Sequence, residues 1–208
     1  MDSRLLQLAD SAFPAGAFAH SFGFEALRQL GLLSGEEALT VRLRELVWHT
    51  ALGALPFLHD AHGGEPAAAD RACDVFLSNH VANRASRAQG RAFLLAAEAT
   101  FGVAAPPLPF AHVAVASGAA LAIAAIGLED ARQLFLFGAV RSALSASVRL
   151  GVAGPLAAQR LLYALHPLLD EALAATGGLT AADACVPAPL LDTAQTTQDR
   201  LYSRLFQS

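Results

Sequence analysis

Residues 154–178 read GPLAAQRLLYALHPLLDEALAATGG, and this stretch decides the fold class. Gly154-Pro155 is typical of a helix start, because proline is favoured at the first helical position, where its missing N–H has no intrahelical partner to lose. Leucines then recur at helical spacing and form one wide apolar stripe: Leu161, Leu162, Leu165, Leu168, Leu169 and Leu173. Gly177-Gly178 marks the end. The stretch therefore predicts a long helix with one buried face.

Helical spacing continues through most of the remaining chain. It predicts helices over residues 2–10, 20–30, 67–101 (with a bend near Asn79), 112–126, 129–149 and 189–206. A further helix should follow a capping box formed by Ser34 and Glu37, with Leu39, Leu43, Leu46 and Val47 on its buried face. Residues 56–66 are predicted to be a loop or a frayed helix end, and residues 102–109 are predicted to be irregular. Because strand-forming residues are scarce, we expect an all-α, single-domain bundle of roughly eight to ten helices over residues 1–208.

Composition excludes several functions. The formal net charge of −4 argues against broad nucleic-acid binding, which needs a basic footprint. All fourteen basic residues are arginine, so the chain has neither the lysine of a P-loop nor a Schiff-base lysine. No GxSxG motif is present, and no cysteine or serine adjoins a recognisable base. We therefore expect a protein that binds other proteins and is not an enzyme.

The uncharged residues 109–128 are long enough to cross a bilayer, which makes a membrane protein one alternative. Their richness in Ala and Gly, together with His112 and the acidic pair Glu129-Asp130, favours a buried core helix. The first residues lack a basic region followed by an apolar one, so we expect no secretory signal and a cytoplasmic location. Cys73 and Cys185 are expected to be reduced thiols in or near the core.

The segment His59-Asp60-Ala61-His62 places three potential metal ligands within four residues. It lies in a predicted loop without a partner motif, which favours an ordinary solvated turn. A metal-carrying role for His59, Asp60 and His62 is kept as an alternative.

Arg84, Arg87 and Arg91 share one face of a predicted helix, with Gln89 between them. They form either an ordinary solvated face or a basic stripe for an acidic partner, because guanidinium groups bind carboxylates well. Gly90 interrupts the helix interior, where glycine is unfavourable, and this indicates close approach of another backbone.

The two ends of the chain are rich in large apolar residues. Residues 13–25, FPAGAFAHSFGFE, hold four phenylalanines and two glycines, and residues 201–206 read LYSRLF. Such residues near a chain end need something to bury them, either the rest of the chain or another protein. The candidate partner-binding residues are Phe13, Pro14, Gly16, Phe18, His20, Ser21, Gly23, Glu25, Tyr202, Ser203, Arg204, Leu205 and Phe206, with Arg84, Arg87, Gln89 and Arg91.

These segments carry a family resemblance. Residues 5–10 (LLQLAD), followed by the bend at 13–25, resemble the N-terminal signature of urease accessory protein F, and residues 202–208 (YSRLFQS) match the terminal motif of that family. Residues 86–94 (SRAQGRAFL) are similar to its central helix, and residues 147–150 and 159–162 fit its later conserved stretch. The resemblance covers the chain from end to end.

The resemblance implies an all-helical, non-enzymatic subunit. Family members form homodimers, bind the accessory protein called D or H, and recruit the GTPase accessory protein G, so that nickel reaches apo-urease. We expect the N-terminal bend and a terminal helix to form the D/H surface, and an opposite, dimeric face to present Arg and Gln to the GTPase. The chain departs from the family at Ala19-His20 and at residues 198–201, where a frequent histidine is absent. A nickel carrier that uses His59, Asp60 and His62 is the alternative.

Overall fold

The computed structural model describes residues 2–14, 20–104 and 106–208. This part of the chain contains ten α-helices and no strand, which confirms the all-α prediction. The helices are α1 Ser3–Ala9, α2 Phe24–Gln29, α3 Gly35–Gly53, α4 Leu55–His62, α5 Pro66–Phe76, α6 His80–Phe101, α7 Val113–Ile123, α8 Leu128–Arg149, α9 Pro155–Ala175 and α10 Pro189–Thr196. Short 3₁₀ turns follow at Ala181–Asp183 and Thr197–Arg200.

Helix α7 lies at the centre of the bundle and packs against α4, α5, α6 and α8. Its residues from Ala114 to Leu121 are all buried, and their small size allows close packing. A Cβ on Gly118 would collide with the carbonyl oxygen of Leu58 in α4, so only glycine fits at this crossing. The uncharged stretch is therefore a core helix, as expected. No helix among the described residues has both the length and the apolar character to span a bilayer.

Helices α3, α8 and α9 pack together beside α7. The predicted leucine stripe of α9 faces this core: Leu162, Leu165, Leu168 and Leu169 are buried, and Leu161 and Leu173 are partly buried. Arg132 of α8 is 1% exposed, and its guanidinium donates to the Leu173 carbonyl (2.7 Å) and to the Thr176 hydroxyl (2.9 Å). These bonds satisfy the end of α9, where backbone carbonyls lack partners.

Two predicted segments differ in the structure. Residues 56–66 are neither a loop nor a frayed helix end, because the regular helix α4 begins at Leu55 and Pro56 stands in its first turn, where proline removes no helical hydrogen bond. Residues 67–101 form two helices, which are separated at residues 77–79, where the sequence predicts a bend near Asn79. Asn79 begins the second, α6, because its side chain accepts from the N–H groups of Val81 (3.0 Å) and Ala82 (3.2 Å).

Ser34 precedes α3 as predicted, but its side chain makes no capping hydrogen bond. A reciprocal capping box forms instead between Thr180 and Asp183, at the 3₁₀ turn that follows α9. Cys73 is buried, whereas Cys185 is exposed, contrary to the expectation for that thiol. The predicted terminal helix over residues 189–206 is also wrong, since α10 ends at Thr196 and residues 201–208 are not helical.

Candidate functional site

Residues 201–208, which we call the C-terminal segment, are attached to α2 through a buried carboxylate. Glu25 is 2% exposed and accepts hydrogen bonds from the backbone N–H groups of Leu205 (2.6 Å) and Phe206 (3.2 Å). The Gln198 side-chain amide donates a third bond, at 2.6 Å. Charge-assisted bonds of this kind are stronger than neutral ones, so they fix the backbone of the segment. They also explain why the segment is not helical.

Two further groups of contacts attach the same segment to the N-terminal part of the chain. The His20 Nδ1 atom lies 2.5 Å from the Ser208 hydroxyl, and the Ser21 N–H donates to the Ser208 carbonyl at 2.5 Å. The Gln29 side chain donates to the Ser203 carbonyl at 2.8 Å. The N-terminal bend and the C-terminal segment, which the sequence indicates separately, therefore form one unit.

This unit has a buried side and an exposed side. The candidate residues His20, Ser21, Gly23, Glu25 and Phe206 are buried within the chain itself. The Tyr202 side chain is fully exposed and that of Leu205 is 62% exposed. Leu30, next to Gln29 in the chain, is 59% exposed. Ser203 and Arg204 are exposed as well. The segment thus presents large apolar side chains to solvent from a backbone that is fixed in place.

Asp199 joins the C-terminal segment to the basic stripe of α6. Its carboxylate accepts from Arg84 (2.8 and 3.0 Å) and Arg204 (3.2 Å), and the His80 imidazole lies 3.5 Å away. The hydrogen bond from Arg84 is the main reason that the pKa of Asp199 is lowered, with Arg204 and His80 adding to the effect. Arg84 therefore lies beside the C-terminal segment, and the expectation that it faces the opposite side is wrong.

The other members of the stripe have different surroundings. The Arg87 guanidinium lies 5.1 Å from the ring centre of Phe110 and 4.0 Å from the Asp74 carboxylate. Arg91 is exposed, and Gln89 is half-buried beside a cavity of about 260 Å³. Of the four predicted residues on α6, Arg84 and Arg91 are therefore exposed, and Arg87 and Gln89 are half-buried.

Gly90 confirms the predicted close approach of another backbone. The chain from Phe110 to His112 passes directly over α6, and a Cβ on Gly90 would collide with the carbonyl oxygen of Ala111. Asp70 holds this passage in place. Its fully buried carboxylate accepts from the N–H groups of Phe110 (2.6 Å), Ala111 (3.0 Å) and His112 (2.9 Å). Sequence reasoning missed Asp70, because its three partners lie about forty positions away.

Phe13 packs inside the chain, with its ring centre 6.1 Å from those of Phe93 and Phe101. Aromatic pairs at this spacing contribute to stability beyond simple burial. Pro14 is exposed. The candidates Gly16 and Phe18 lie outside the described residues.

The suggested metal ligands are on helix α4 and bond to three separate backbone groups. His59 Nδ1 lies 2.7 Å from the Leu179 carbonyl, and His62 Nε2 lies 2.9 Å from the Ile126 carbonyl. The Asp60 carboxylate accepts from a backbone N–H at 2.9 Å. Across residues 2–14, 20–104 and 106–208, no three His, Cys, Asp or Glu side chains are placed to hold a metal ion. These residues therefore attach α4 to neighbouring loops.

The buried His20 predicts a pH-dependent stability. Burial lowers its pKa from 6.5 to about 4. Between these pH values the unfolded chain binds a proton at His20 and the folded chain does not, so stability falls as the pH decreases through this window. The expected loss is about 3 kcal/mol at pH 4. This loss of stability should be much smaller in His20→Gln. Urea unfolding from pH 7 to pH 4 measures it in both proteins.

Burial also lowers the pKa values of His49 and His112. The stability of His20→Gln should therefore still decrease somewhat as the pH falls. Exposed His166 provides the control, and His166→Gln should keep the wild-type profile. An unchanged slope in His20→Gln would contradict the role given to this imidazole.

Comparison with known proteins shows the family of this chain. The sequence model of the UreF family matches residues 34–166. Urease accessory protein F of Arabidopsis thaliana is 31% identical over 97% of this chain and 90% of its own length. The UreF proteins of Mycobacterium bovis (strain BCG / Pasteur 1173P2) and Trichodesmium erythraeum (strain IMS101) are 31% and 28% identical, over 98% and 97% of this chain and 97% and 94% of their own lengths. This chain belongs to the UreF family of urease accessory proteins.

Proposed function

We propose that this chain is a non-enzymatic scaffold of urease maturation. In this role it binds the D/H accessory protein and the GTPase accessory protein G in the cytoplasm, so that nickel is delivered to apo-urease. Family membership supports the general role, since the relatives are named as accessory proteins of urease. The nucleotide chemistry is assigned to the partner, because this chain has no lysine and therefore no P-loop.

The C-terminal segment is the proposed binding site for the D/H partner. Its backbone is fixed by Glu25, and it directs Tyr202 and Leu205 outward. Exposed tyrosine and leucine on an ordered segment suit a binding site, because little conformational entropy remains to be lost on association. Tyrosine is also enriched among residues that dominate binding energy. We assign Tyr202 and Leu205 to the D/H contact, while His20, Ser21, Glu25 and Phe206 hold the segment in position.

The cluster around Asp199 is the proposed binding site for the GTPase accessory protein G. Arg84 and Arg204 converge on one carboxylate, and exposed Arg91 lies on the same helix as Arg84. Planar guanidinium groups bind the carboxylates of a partner in a defined geometry. The GTPase would dock beside the D/H partner and contact both that partner and this chain. We further propose that the scaffold acts as a homodimer, as the family resemblance implies.

The double variant Tyr202→Ser with Leu205→Ser tests the D/H assignment. It should weaken binding to the immobilised D/H protein at least tenfold, because a central interface tyrosine is commonly worth about 2 kcal/mol. Thermal stability should not change, since both side chains project into solvent. Biolayer interferometry measures the binding and circular dichroism the fold.

The matched control is Leu156→Ser with Tyr163→Ser on α9, which also removes an exposed leucine and an exposed tyrosine, at 80% and 77% exposure. The control should bind the D/H protein like the wild type. Equal binding by the two double variants would refute the assignment.

A further inference from the structure

A small cavity lies where the end of α1 meets α8 and Phe206. It has a volume of about 80 Å³. Arg141, Ser142 and Ser145 of α8 line it, with Asp10 and Ser11 opposite. This is room for several water molecules and far below the roughly 300 Å³ of a site for a drug-sized ligand. A small ion fits there. Arg141 and Ser142 also line the neighbouring cavity of about 260 Å³.

The donors in this cavity are not engaged by the part of the chain that the structure describes. Within residues 2–14, 20–104 and 106–208, the Arg141 guanidinium makes no hydrogen bond and no ion pair, and the hydroxyls of Ser142 and Ser145 make no hydrogen bond. Ser147, on the same helix, does bond to a carbonyl four residues back, at 2.8 Å. The hydroxyls of Ser142 and Ser145 are on half-exposed side chains and are available to a ligand.

Arg141 is also partly removed from water. Burial lowers its pKa, and nearby Asp10 only partly offsets the effect. The Asp10 carboxylate itself accepts from the N–H of Ala12 at 2.8 Å and from the Ser11 hydroxyl at 3.5 Å, within its own turn. Partial loss of hydration disfavours the charged guanidinium, and a bound anion would offset this.

We propose that this cavity binds a small oxyanion, a phosphate or carboxylate group, held by the Arg141 guanidinium and the hydroxyls of Ser142 and Ser145. A guanidinium and two hydroxyls supply the directed donors that such a group accepts, and the charge of Arg141 gives the strongest bond. Arg149, whose guanidinium lies 4.3 Å from the ring centre of Phe206, adds positive potential at the same cavity. Because Phe206 also lines the cavity, the bound anion would lie between α8 and the C-terminal segment.

The test uses inorganic phosphate and acetate as probes, with chloride adjusted to constant ionic strength. Each is titrated into the full chain, and the thermal midpoint and the heat of binding are recorded. Saturable stabilisation by phosphate alone would assign the cavity to a tetrahedral oxyanion. Equal saturation by acetate would assign it to a carboxylate, such as an acidic side chain of a partner. Absence of saturation with both probes would overturn the proposal.

Arg141→Gln should weaken the response about tenfold or more, because it removes the charge-assisted bond. Arg71→Gln removes the same charge from an exposed position on α5 and should respond like the wild type. Ser142→Ala with Ser145→Ala keeps the charge and should weaken binding as well, so the result does not depend on a single variant. Identical titrations of Arg141→Gln, the serine variant and the wild type would also overturn the site.

Discussion

Replacing Gly90 with alanine is expected to destabilise the protein by about 3 kcal/mol or more, although the change adds only one methyl group. The new Cβ would overlap the backbone of Ala111 and His112. That backbone has no freedom to retreat, because the buried Asp70 carboxylate binds three consecutive N–H groups of the passing chain. Urea unfolding followed by circular dichroism measures the loss.

Gly138 provides the matched control, since it is also a glycine inside a helix. Among the residues that the structure describes, no atom beyond the neighbouring part of α8 lies within 4 Å of the position that a Cβ at Gly138 would take. Gly138→Ala should therefore stabilise the protein by up to about 1 kcal/mol, through the higher helix propensity of alanine. Opposite signs for the two substitutions would confirm the crossing of α6 by residues 110–112. A similar stabilisation by Gly90→Ala would contradict the close contact between α6 and residues 110–112.

Replacing Glu25 with glutamine should release the C-terminal segment. Both carboxylate oxygens accept backbone N–H bonds, and a glutamine amide would present an NH₂ group to one of those donors. The expected loss is about 1–3 kcal/mol, with faster hydrogen exchange at the amides of Leu205 and Phe206. Binding to the D/H protein should fall as well, because the segment would no longer be ordered before it binds.

Glu37→Gln, at an exposed position on α3, makes the same chemical change at a side chain that has no hydrogen bond or ion pair to the described part of the chain, and it should leave exchange unchanged. Exchange at Leu205 and Phe206 that is equally slow in Glu25→Gln and in the wild type would show that the carboxylate does not hold the segment.

Helical periodicity predicted most of the bundle, because an apolar stripe at helical spacing needs only local information. The stripe of α9 and the uncharged stretch that became α7 were predicted in this way. Helix α4 was missed because Pro56 and the nearby glycines are typical of loops. Proline in a first turn is nevertheless compatible with a helix, and the burial of Leu55, Phe57 and Leu58 stabilises this one.

The conformation of the C-terminal segment could not be predicted from local sequence patterns. Residues 201–206 have helical spacing, yet their backbone donors bond to Glu25, about 180 positions earlier in the chain. Tertiary hydrogen bonds to a buried charge outweigh a weak local preference for helix. The same holds for Asp199, whose partner Arg84 lies 115 positions away. The sequence predicted which segments bind partners. The fold was needed to show which of their side chains face outward.

Size-exclusion chromatography with light scattering, on this chain alone and then mixed with the D/H and G accessory proteins, tests the scaffold role. We expect a dimer that shifts to a larger complex containing all three proteins. We also expect the shift to be lost with Tyr202→Ser and Leu205→Ser but kept with Leu156→Ser and Tyr163→Ser. A chain whose mass is unchanged by either partner would contradict the scaffold role.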